Sequence, residues 1–166
     1  MRKLNWGSSK NVEGNLLEKK HWIDINKSWT KFRGVTMNSS KKVLIVDDAA
    51  FAHNIYRVLL GFMNLSILSA KSGSEAIDMI SKEGDIGFVI LDLNMPSMNG
   101  LELLEMFPLR FKEKTPVMVV SSDRDKVKQQ TALKLGAVKF FEKSKLNELK
   151  QFLKHLIETP SMVNHT

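Results

Sequence analysis

The stretch Val43-Leu44-Ile45-Val46-Asp47-Asp48 is a run of four aliphatic residues that ends in two carboxylates. An uninterrupted aliphatic run is typical of a strand that is buried on both faces of a parallel sheet. A segment with apolar residues at helical spacing follows directly, over residues 50–62. The stretch therefore predicts the first strand and helix of an α/β fold, with acidic residues at the carboxyl end of the strand.

Four more units of a strand followed by a helix come after this first unit. The remaining strands are predicted at residues 65–70, 88–91, 116–120 and 138–141. The helices after them are predicted at residues 72–80, 100–107, 123–135 and 144–157, with Ser72 and Ser144 as N-caps and Gly136 after the third of these. Five such units in order predict a five-stranded parallel sheet with helices on both faces.

The composition narrows the class of protein. The chain has 166 residues, a length typical of one domain with a short appendage. It contains no cysteine, which excludes disulfides, cysteine-ligated zinc, iron–sulfur clusters and thiol nucleophiles. No apolar stretch approaches the ~20 residues that cross a bilayer, and no apolar segment of a secretory signal follows the basic amino terminus. We therefore expect a cytoplasmic protein.

Residues 1–40 differ from the rest of the chain. They hold eight Lys/Arg and three Asp/Glu, whereas residues 41–166 hold 17 basic and 15 acidic side chains. A basic arm can bind nucleic acid or acidic membranes, but the dispersed charges favour a solvated leader. We predict a flexible or partly helical basic extension over 1–40, a main domain over 41–158 and a tail over 159–166. Met37 is an alternative start, in which case residues 1–36 are not native.

Charged and hydroxyl side chains follow four of the predicted strands. They are Asp47 and Asp48, Asp92, Ser121, and Lys143. Open parallel sheets place their sites at the carboxyl ends of the strands, so these side chains are expected on one rim. Three carboxylates together repel unless a cation lies among them, and oxygen ligands favour Mg²⁺, with Mn²⁺ as an alternative. A carboxylate beside a metal and a lysine is a plausible nucleophile toward phosphorus.

The four histidines show no ligand spacing and are expected at the surface.

Four motifs together resemble the CheY-like receiver domain of bacterial two-component response regulators. They are Asp47-Asp48, the segment from Leu91 to Gly100 (LDLNMPSMNG), the segment from Pro116 to Ser121 (PVMVVS), and Gly136-Ala137 with Phe140 and Lys143. The resemblance covers roughly residues 41–158. It implies a flavodoxin-like, doubly wound (βα)5 fold with strand order 2-1-3-4-5, in a stand-alone, single-domain regulator.

The resemblance also implies roles for the acidic residues. Asp92 would accept the phosphoryl group, and Asp47 and Asp48 would hold Mg²⁺ together with Asp92 and the backbone carbonyl of Asn94. Lys143 would contact the phosphoryl group. An aspartyl-phosphate hydrolase of the haloacid dehalogenase type is disfavoured, because it requires a second aspartate where this chain has Asn94.

Further residues would transmit and time the signal. Ser121 would move onto the phosphoryl group, and the Phe140 side chain would follow it as an aromatic switch. Asn94 and Asp123 flank the acceptor in such domains, and their short polar side chains would admit the hydrolytic water, which predicts short-lived phosphorylation.

Two positions depart from the family pattern. Ser144 stands where a proline usually follows the lysine in a cis peptide. Because a cis bond before a non-proline residue costs ~2.5–4 kcal/mol, we expect a trans bond here and a different placement of Lys143. Phe140 stands where tyrosine or histidine is common, and it cannot donate a hydrogen bond.

The expected function is that of a phosphoacceptor response regulator. A sensor histidine kinase or a histidine phosphotransfer protein would phosphorylate Asp92, and an output protein would bind the face formed by the fourth predicted helix, the fifth strand and the fifth helix. No DNA-binding domain is expected, and no enzymatic activity beyond self-phosphotransfer and auto-dephosphorylation. The alternative is a degenerate receiver that binds partners without phosphorylation.

Overall fold

The computed structural model describes residues 42–63 and 65–158, with side chains up to residue 154. The predicted basic extension over 1–40, with Met37, and the predicted tail over 159–166 lie outside the described residues. Within the described part of the chain, no helix has the length and hydropathy needed to span a membrane.

Five parallel strands form one sheet in the order β2-β1-β3-β4-β5, which confirms the predicted fold class. The strands are β1 (Lys42–Val46), β2 (Ser66–Ala70), β3 (Ile86–Leu91), β4 (Val117–Ser121) and β5 (Lys139–Glu142). Val46 at the end of β1 pairs with Ala70 on one side and Leu91 on the other. The order of the strands reverses at β1 and β3, so their carboxyl ends form the crevice where ligands bind in such sheets.

Six α-helices cover the sheet in the described part of the chain. They are α1 (Ala50–Leu60), α2 (Gly73–Lys82), α3 (Gly100–Met106), α4 (Leu109–Lys114), α5 (Lys126–Lys134) and α6 (Leu146–Glu158), with 3₁₀ turns at Gly61–Met63 and Lys143–Lys145. The sequence did not predict α4. Pro108 separates it from α3, and its six residues are too short to show helical periodicity. It is held by Phe111, whose ring packs edge to face on Phe107 with centroids 5.6 Å apart.

Two of the three helix caps predicted from the sequence are present in the structure. Ser72 caps α2, because its hydroxyl accepts a hydrogen bond from the N–H of Glu75. Gly136 follows α5 with a φ of 107°, in the left-handed region that favours glycine. The prediction for Ser144 is wrong: it lies inside the second 3₁₀ turn, and its hydroxyl donates to the Glu142 carboxylate.

The core lies on both faces of the sheet. Alternate residues of β1 and β3, such as Leu44 and Val89, pack in one buried cluster with residues of α2, α3 and α5. On β5, Phe141 packs edge to face on Phe152 of α6, with ring centroids 5.3 Å apart. Because β1, β3 and β4 are buried along their whole length apart from Lys42, their carboxyl ends are rigid supports for the residues that follow.

Candidate functional site

Two adjacent strands present buried carboxylates at the same edge of the sheet. Asp47 follows β1 and is 1% exposed, and Asp92 follows β3 and is 3% exposed. The sheet fixes both backbones, since the N–H of Asp92 donates to the Val46 carbonyl and the N–H of Asp47 donates to the Ala70 carbonyl. Asp48 is exposed beside them. Carboxylate oxygens of the three aspartates lie within 4.8 Å of one another.

Lys143 places its ammonium between the two buried carboxylates. Its Nζ lies 2.7 Å from Oδ2 of Asp92 and 2.8 Å from Oδ2 of Asp47. The peptide bond between Lys143 and Ser144 is trans, as expected from the missing proline. The expectation that this would displace the lysine is wrong, because the end of β5 and the 3₁₀ turn after it bring the ammonium into the pocket.

Burial and charge oppose each other in this pocket. Burial raises the pKa of Asp92, and the hydrogen bond from Lys143 offsets only part of that shift. For Lys143, burial lowers the pKa, but the hydrogen bonds to Asp47 and Asp92 outweigh it and the net pKa is raised. The pKa of the buried Tyr56 phenol is also raised, first by burial and then by the two carboxylates. The pocket therefore holds more negative charge than its one ammonium neutralises.

The residues present fit a hard divalent cation. Oδ1 of Asp92 is buried and lacks a hydrogen bond of good geometry among the residues described, although the nearby Asn94 N–H lowers the pKa of the carboxyl. Asp48 adds an exposed carboxylate at the same point, and no sulfur or imidazole belongs to the cluster. Mg²⁺ takes one or a few carboxylates and keeps several waters, which suits a cluster open to solvent on one side.

Ser121 ends β4, which lies beside β3 on the side away from β1. Its hydroxyl oxygen is buried and accepts hydrogen bonds from the N–H of Asp123 (3.1 Å) and from Nδ2 of Asn94 (3.4 Å). The Asn94 amide also donates to the Ser122 hydroxyl at 3.3 Å. The structure thus joins the loops after β3 and β4 through the Asn94 side chain.

The two remaining predicted residues have their own contacts. Asp123 is held by Lys128, with 2.5 Å between Oδ2 and Nζ, and this partner lowers the pKa of Asp123. Phe140 is half-buried on β5, pairs in register with Val119 of β4 and packs against the buried cluster. The sequence did not predict the ion pair between Lys128 and Asp123. Its one signal is that Lys128 lies five residues after Asp123, in the first turn of a helix.

Sequence reasoning misplaced His53. It lies on α1, is 5% exposed rather than at the surface, and its Nε2–H donates to the Asp47 carbonyl at 2.7 Å. Its Nδ1 is buried and has no hydrogen-bond partner in the described structure. His53 thereby holds the turn that carries the acidic pair. A single histidine on a helix has no sequence signal that distinguishes this position from a surface one.

Sequence reasoning also missed the role of Gly100, the first residue of α3. A Cβ at this position would lie 2.2 Å from the carbonyl oxygen of Asp92 and 2.8 Å from Cα of Leu93. The N–H of Gly100 donates to the Leu93 carbonyl at 2.9 Å. Only a residue without a side chain allows this approach, so Gly100 packs directly against the backbone of Asp92.

Comparisons with known proteins agree with this geometry. Residues 43–154 match the family model of the response regulator receiver domain. A chemotaxis protein CheY homolog of Campylobacter jejuni is 36% identical over 104 residues, which cover 61% of this chain and 80% of that protein. Chemotaxis protein CheY1 of Helicobacter pylori is 33% identical over 105 residues, covering 61% of this chain and 84% of that protein.

Solved structures lead to the same family. A response regulator receiver protein from Pseudomonas putida aligns with a TM-score of 0.63 at 27% identity, covering 69% of this chain and 96% of that one. The CheX–CheY–BeF3–Mg²⁺ complex from Borrelia burgdorferi aligns with a TM-score of 0.63 at 25% identity, covering 72% of this chain and 90% of that one. The chain belongs to the CheY-like receiver domains of two-component response regulators, a family of signalling proteins.

Proposed function

We propose that the protein is a phosphoacceptor switch in which Asp92 carries the phosphoryl group. One observation carries this proposal: Asp92 is almost fully buried, yet its carboxylate lies 2.7 Å from the Lys143 ammonium and in one cluster with Asp47 and Asp48. Burial raises the pKa of Asp92, and a buried carboxylate with a raised pKa beside a specific charge partner marks a candidate functional site.

The proposed reaction is a phosphoryl transfer to a carboxylate. A carboxylate oxygen of ionised Asp92 forms a bond to phosphorus, and the bond from phosphorus to the donor group breaks. The donor is a phosphohistidine of a histidine kinase or phosphotransfer protein, or a small acyl phosphate. Lys143 stabilises the charge on the phosphoryl oxygens, and Asp47 and Asp48, with Asp92 and the Asn94 carbonyl, would hold Mg²⁺ or Mn²⁺, which neutralises phosphoryl charge when bound.

The test is phosphorylation of the full chain with acetyl phosphate and Mg²⁺, followed by intact-mass spectrometry. We expect a mass increase of one phosphoryl group that does not form when Mg²⁺ is chelated before acetyl phosphate is added. Absence of the adduct with Mg²⁺ present would instead favour the alternative, a receiver that binds partners without phosphorylation. We expect self-phosphotransfer and auto-dephosphorylation as the chemistry at Asp92; the match to a family of signalling proteins supports this expectation.

Replacing Asp48 by alanine is expected to weaken Mg²⁺ binding by about tenfold or more, because it removes the one exposed carboxylate of the cluster. Folding stability should change little, since Asp48 is exposed and its removal leaves the two buried carboxylates paired with Lys143. Calorimetric or NMR titration with Mg²⁺ measures the affinity. Asp78→Ala on α2 is the matched control, and an unchanged affinity in Asp48→Ala would refute the metal assignment.

Two surfaces support protein partners beside the proposed phosphorylation site. On α1, Phe51 and Val58 are 74% and 85% exposed and lie two turns apart on one helix face, which begins three residues after Asp48. We assign this face to the phosphate donor, a histidine kinase or phosphotransfer protein. On α5, the helix that precedes β5, Val127 and Leu133 are 70% and 47% exposed. We assign α5, β5 and α6 to the output partner, with Ser121 and Phe140 as the switch. We place this exchange in the cytoplasm.

The lifetime of the phosphoryl group is expected to be short. Asn94 and Asp123 are short polar side chains beside the acceptor, and Asn94 already donates to both serine hydroxyls of the β4 loop. Asn94→Arg combined with Asp123→Arg should slow dephosphorylation, because long cationic side chains screen the water that attacks phosphorus. Decay of the phosphorylated species, followed by mass spectrometry, measures the rate.

The contact from Lys128 to Asp123 supplies the control for this lifetime experiment. Lys128→Gln frees the Asp123 carboxylate without adding bulk near the acceptor. It should leave the decay within about twofold of the wild type, because the exposed pair is screened by solvent. Equal decay in the wild type and the double arginine variant would contradict the role of the two side chains.

A further inference from the structure

A groove lies along α3 and the end of the loop that precedes it, and it shares no lining residue with the acidic pocket. It has a volume of about 490 Å³ and is lined by Ser97, Met98, Glu102, Glu105 and Met106. The groove thus combines two flexible thioether side chains with two carboxylates. Methionine adapts its shape to different apolar partners, and such side chains are frequent at binding surfaces.

The surface around the groove is apolar as well as acidic. Glu102, Glu105 and Met106 lie three and four residues apart, so they share one face of α3. Met106 is 56% exposed, and Leu109, the first residue of α4, is 70% exposed. Large apolar side chains exposed next to each other, with a polar rim, are a mark of interaction surfaces. This face of α3 therefore exposes both apolar and charged side chains to solvent.

The charge of this face is opposite to that of the chain. The chain has a formal net charge of +7 with 25 Lys/Arg, but none of these lies between Lys82 and Arg110. Two carboxylates of that interval, Glu102 and Glu105, line the groove, whereas Glu83 pairs with Lys42 and Asp92 is buried beside Lys143. Lys112 reaches the end of α3, where its ammonium donates to the carbonyls of Leu104 and Leu135. Such a face repels nucleic acid and anionic lipid and attracts a cationic partner.

We propose that this face of α3 binds a protein partner through a cationic amphipathic helix. The apolar side chains of that helix would occupy the groove beside Met98 and Met106, and its lysines or arginines would pair with Glu102 and Glu105. An amphipathic helix fits this face. Its apolar and charged side chains recur every three or four residues, the same spacing at which α3 presents Glu102, Glu105 and Met106. The proposal does not depend on phosphorylation of Asp92.

The experiment uses the full chain and a synthetic helical peptide of leucine and lysine, with leucines on one face, labelled with rhodamine. Fluorescence anisotropy should show saturable binding at physiological salt. Glu105→Lys should weaken binding about tenfold, because it replaces attraction by repulsion. Met106→Gln should weaken it about fivefold by removing an apolar contact. Asp78→Lys on α2 changes the net charge equally at an exposed site, and Phe62→Gln removes an exposed apolar side chain elsewhere. Both variants should bind within about twofold of wild type.

Three results would overturn the proposal. Absence of saturable binding by the wild type is one. Equal weakening by Glu105→Lys and Asp78→Lys is the second, since it would show a response to overall charge rather than to the α3 face. The third is a dimer in sedimentation velocity that Met106→Gln dissociates, because a second copy of the chain would then occupy the groove.

Discussion

Replacement of Asp92 by asparagine is expected to reduce phosphorylation by acetyl phosphate and Mg²⁺ by about three orders of magnitude or more. The amide has nearly the shape of the carboxylate, but its oxygen is not a nucleophile toward phosphorus. Intact-mass spectrometry measures the adduct. The matched control is Asp78→Asn, an exposed carboxylate on α2 that should leave phosphorylation unchanged. Phosphoryl incorporation at the wild-type rate in Asp92→Asn would require a different acceptor.

The same substitution should stabilise the fold at neutral pH. Burial raises the pKa of Asp92 in the folded protein, so the folded state retains its proton at pH values where the unfolded chain has lost it. The free energy of unfolding of the wild type therefore falls as the pH rises through this interval, and it stays reduced above it. Asparagine has no such cost, and we expect it to be more stable by about 1 kcal/mol at neutral pH.

Denaturation at two pH values tests the stabilisation. Urea unfolding should show the gain of Asp92→Asn at neutral pH, and the gain should vanish as the pH falls below the ordinary pKa of aspartate, where both variants are neutral. A gain of equal size at both pH values would show that packing, rather than buried charge, is responsible.

Gly100→Ala is expected to destabilise the protein by about 2–3 kcal/mol and to disturb the acceptor residue. The added Cβ would meet the carbonyl oxygen of Asp92 at 2.2 Å, and this atom belongs to the backbone, which cannot rotate away. Either the first turn of α3 or the Asp92–Leu93 backbone must move. Urea denaturation measures the loss of stability, and the rate of phosphorylation by acetyl phosphate measures the displacement of Asp92.

Two glycines serve as matched controls for that prediction. A Cβ at Gly61 or Gly84 would meet no atom within 4 Å, and neither residue has a positive φ. Gly61→Ala and Gly84→Ala should therefore change the free energy of unfolding by no more than about 0.5 kcal/mol and leave phosphorylation intact. If Gly100→Ala behaved like these two variants, the close approach to Asp92 would not constrain the site.

Elements with a strong periodic pattern could be predicted from the sequence. The aliphatic runs before Asp47 and Asp92 are buried central strands, because four or more consecutive apolar residues can be satisfied only where both faces are covered. The boundaries were less certain. The helix predicted over 123–135 begins at Lys126, because the Asp125 carboxylate accepts from the N–H of Val127 and caps it. Several aspartates in succession give no local signal that selects one of them.

The site was predictable in its members but not in its contacts. Chain order and parallel strands bring Asp47, Asp92 and Lys143 to one rim, and the spacing of the motifs supported that prediction. The identity of residue 144 did not predict where the Lys143 ammonium lies. Its position depends on the 3₁₀ turn over Lys143–Lys145 and on the reach of the Lys143 side chain. The buried position of His53 was also missed. Its hydrogen-bond partner is the backbone carbonyl of Asp47, and because every residue has such a carbonyl, the sequence gives no signal for this contact.

The sequence by itself determined the α/β class, the order of the elements and the acidic rim, because these follow from local periodicity and from the strand ends. Only the tertiary structure decided how deeply Asp92 is buried, which oxygen Lys143 reaches, and that Gly100 touches the acceptor backbone. It also decided that α3 turns a methionine and glutamate face outward. The physical reason is that burial, pKa and close approach depend on atoms from distant parts of the chain, whose distances no local pattern encodes.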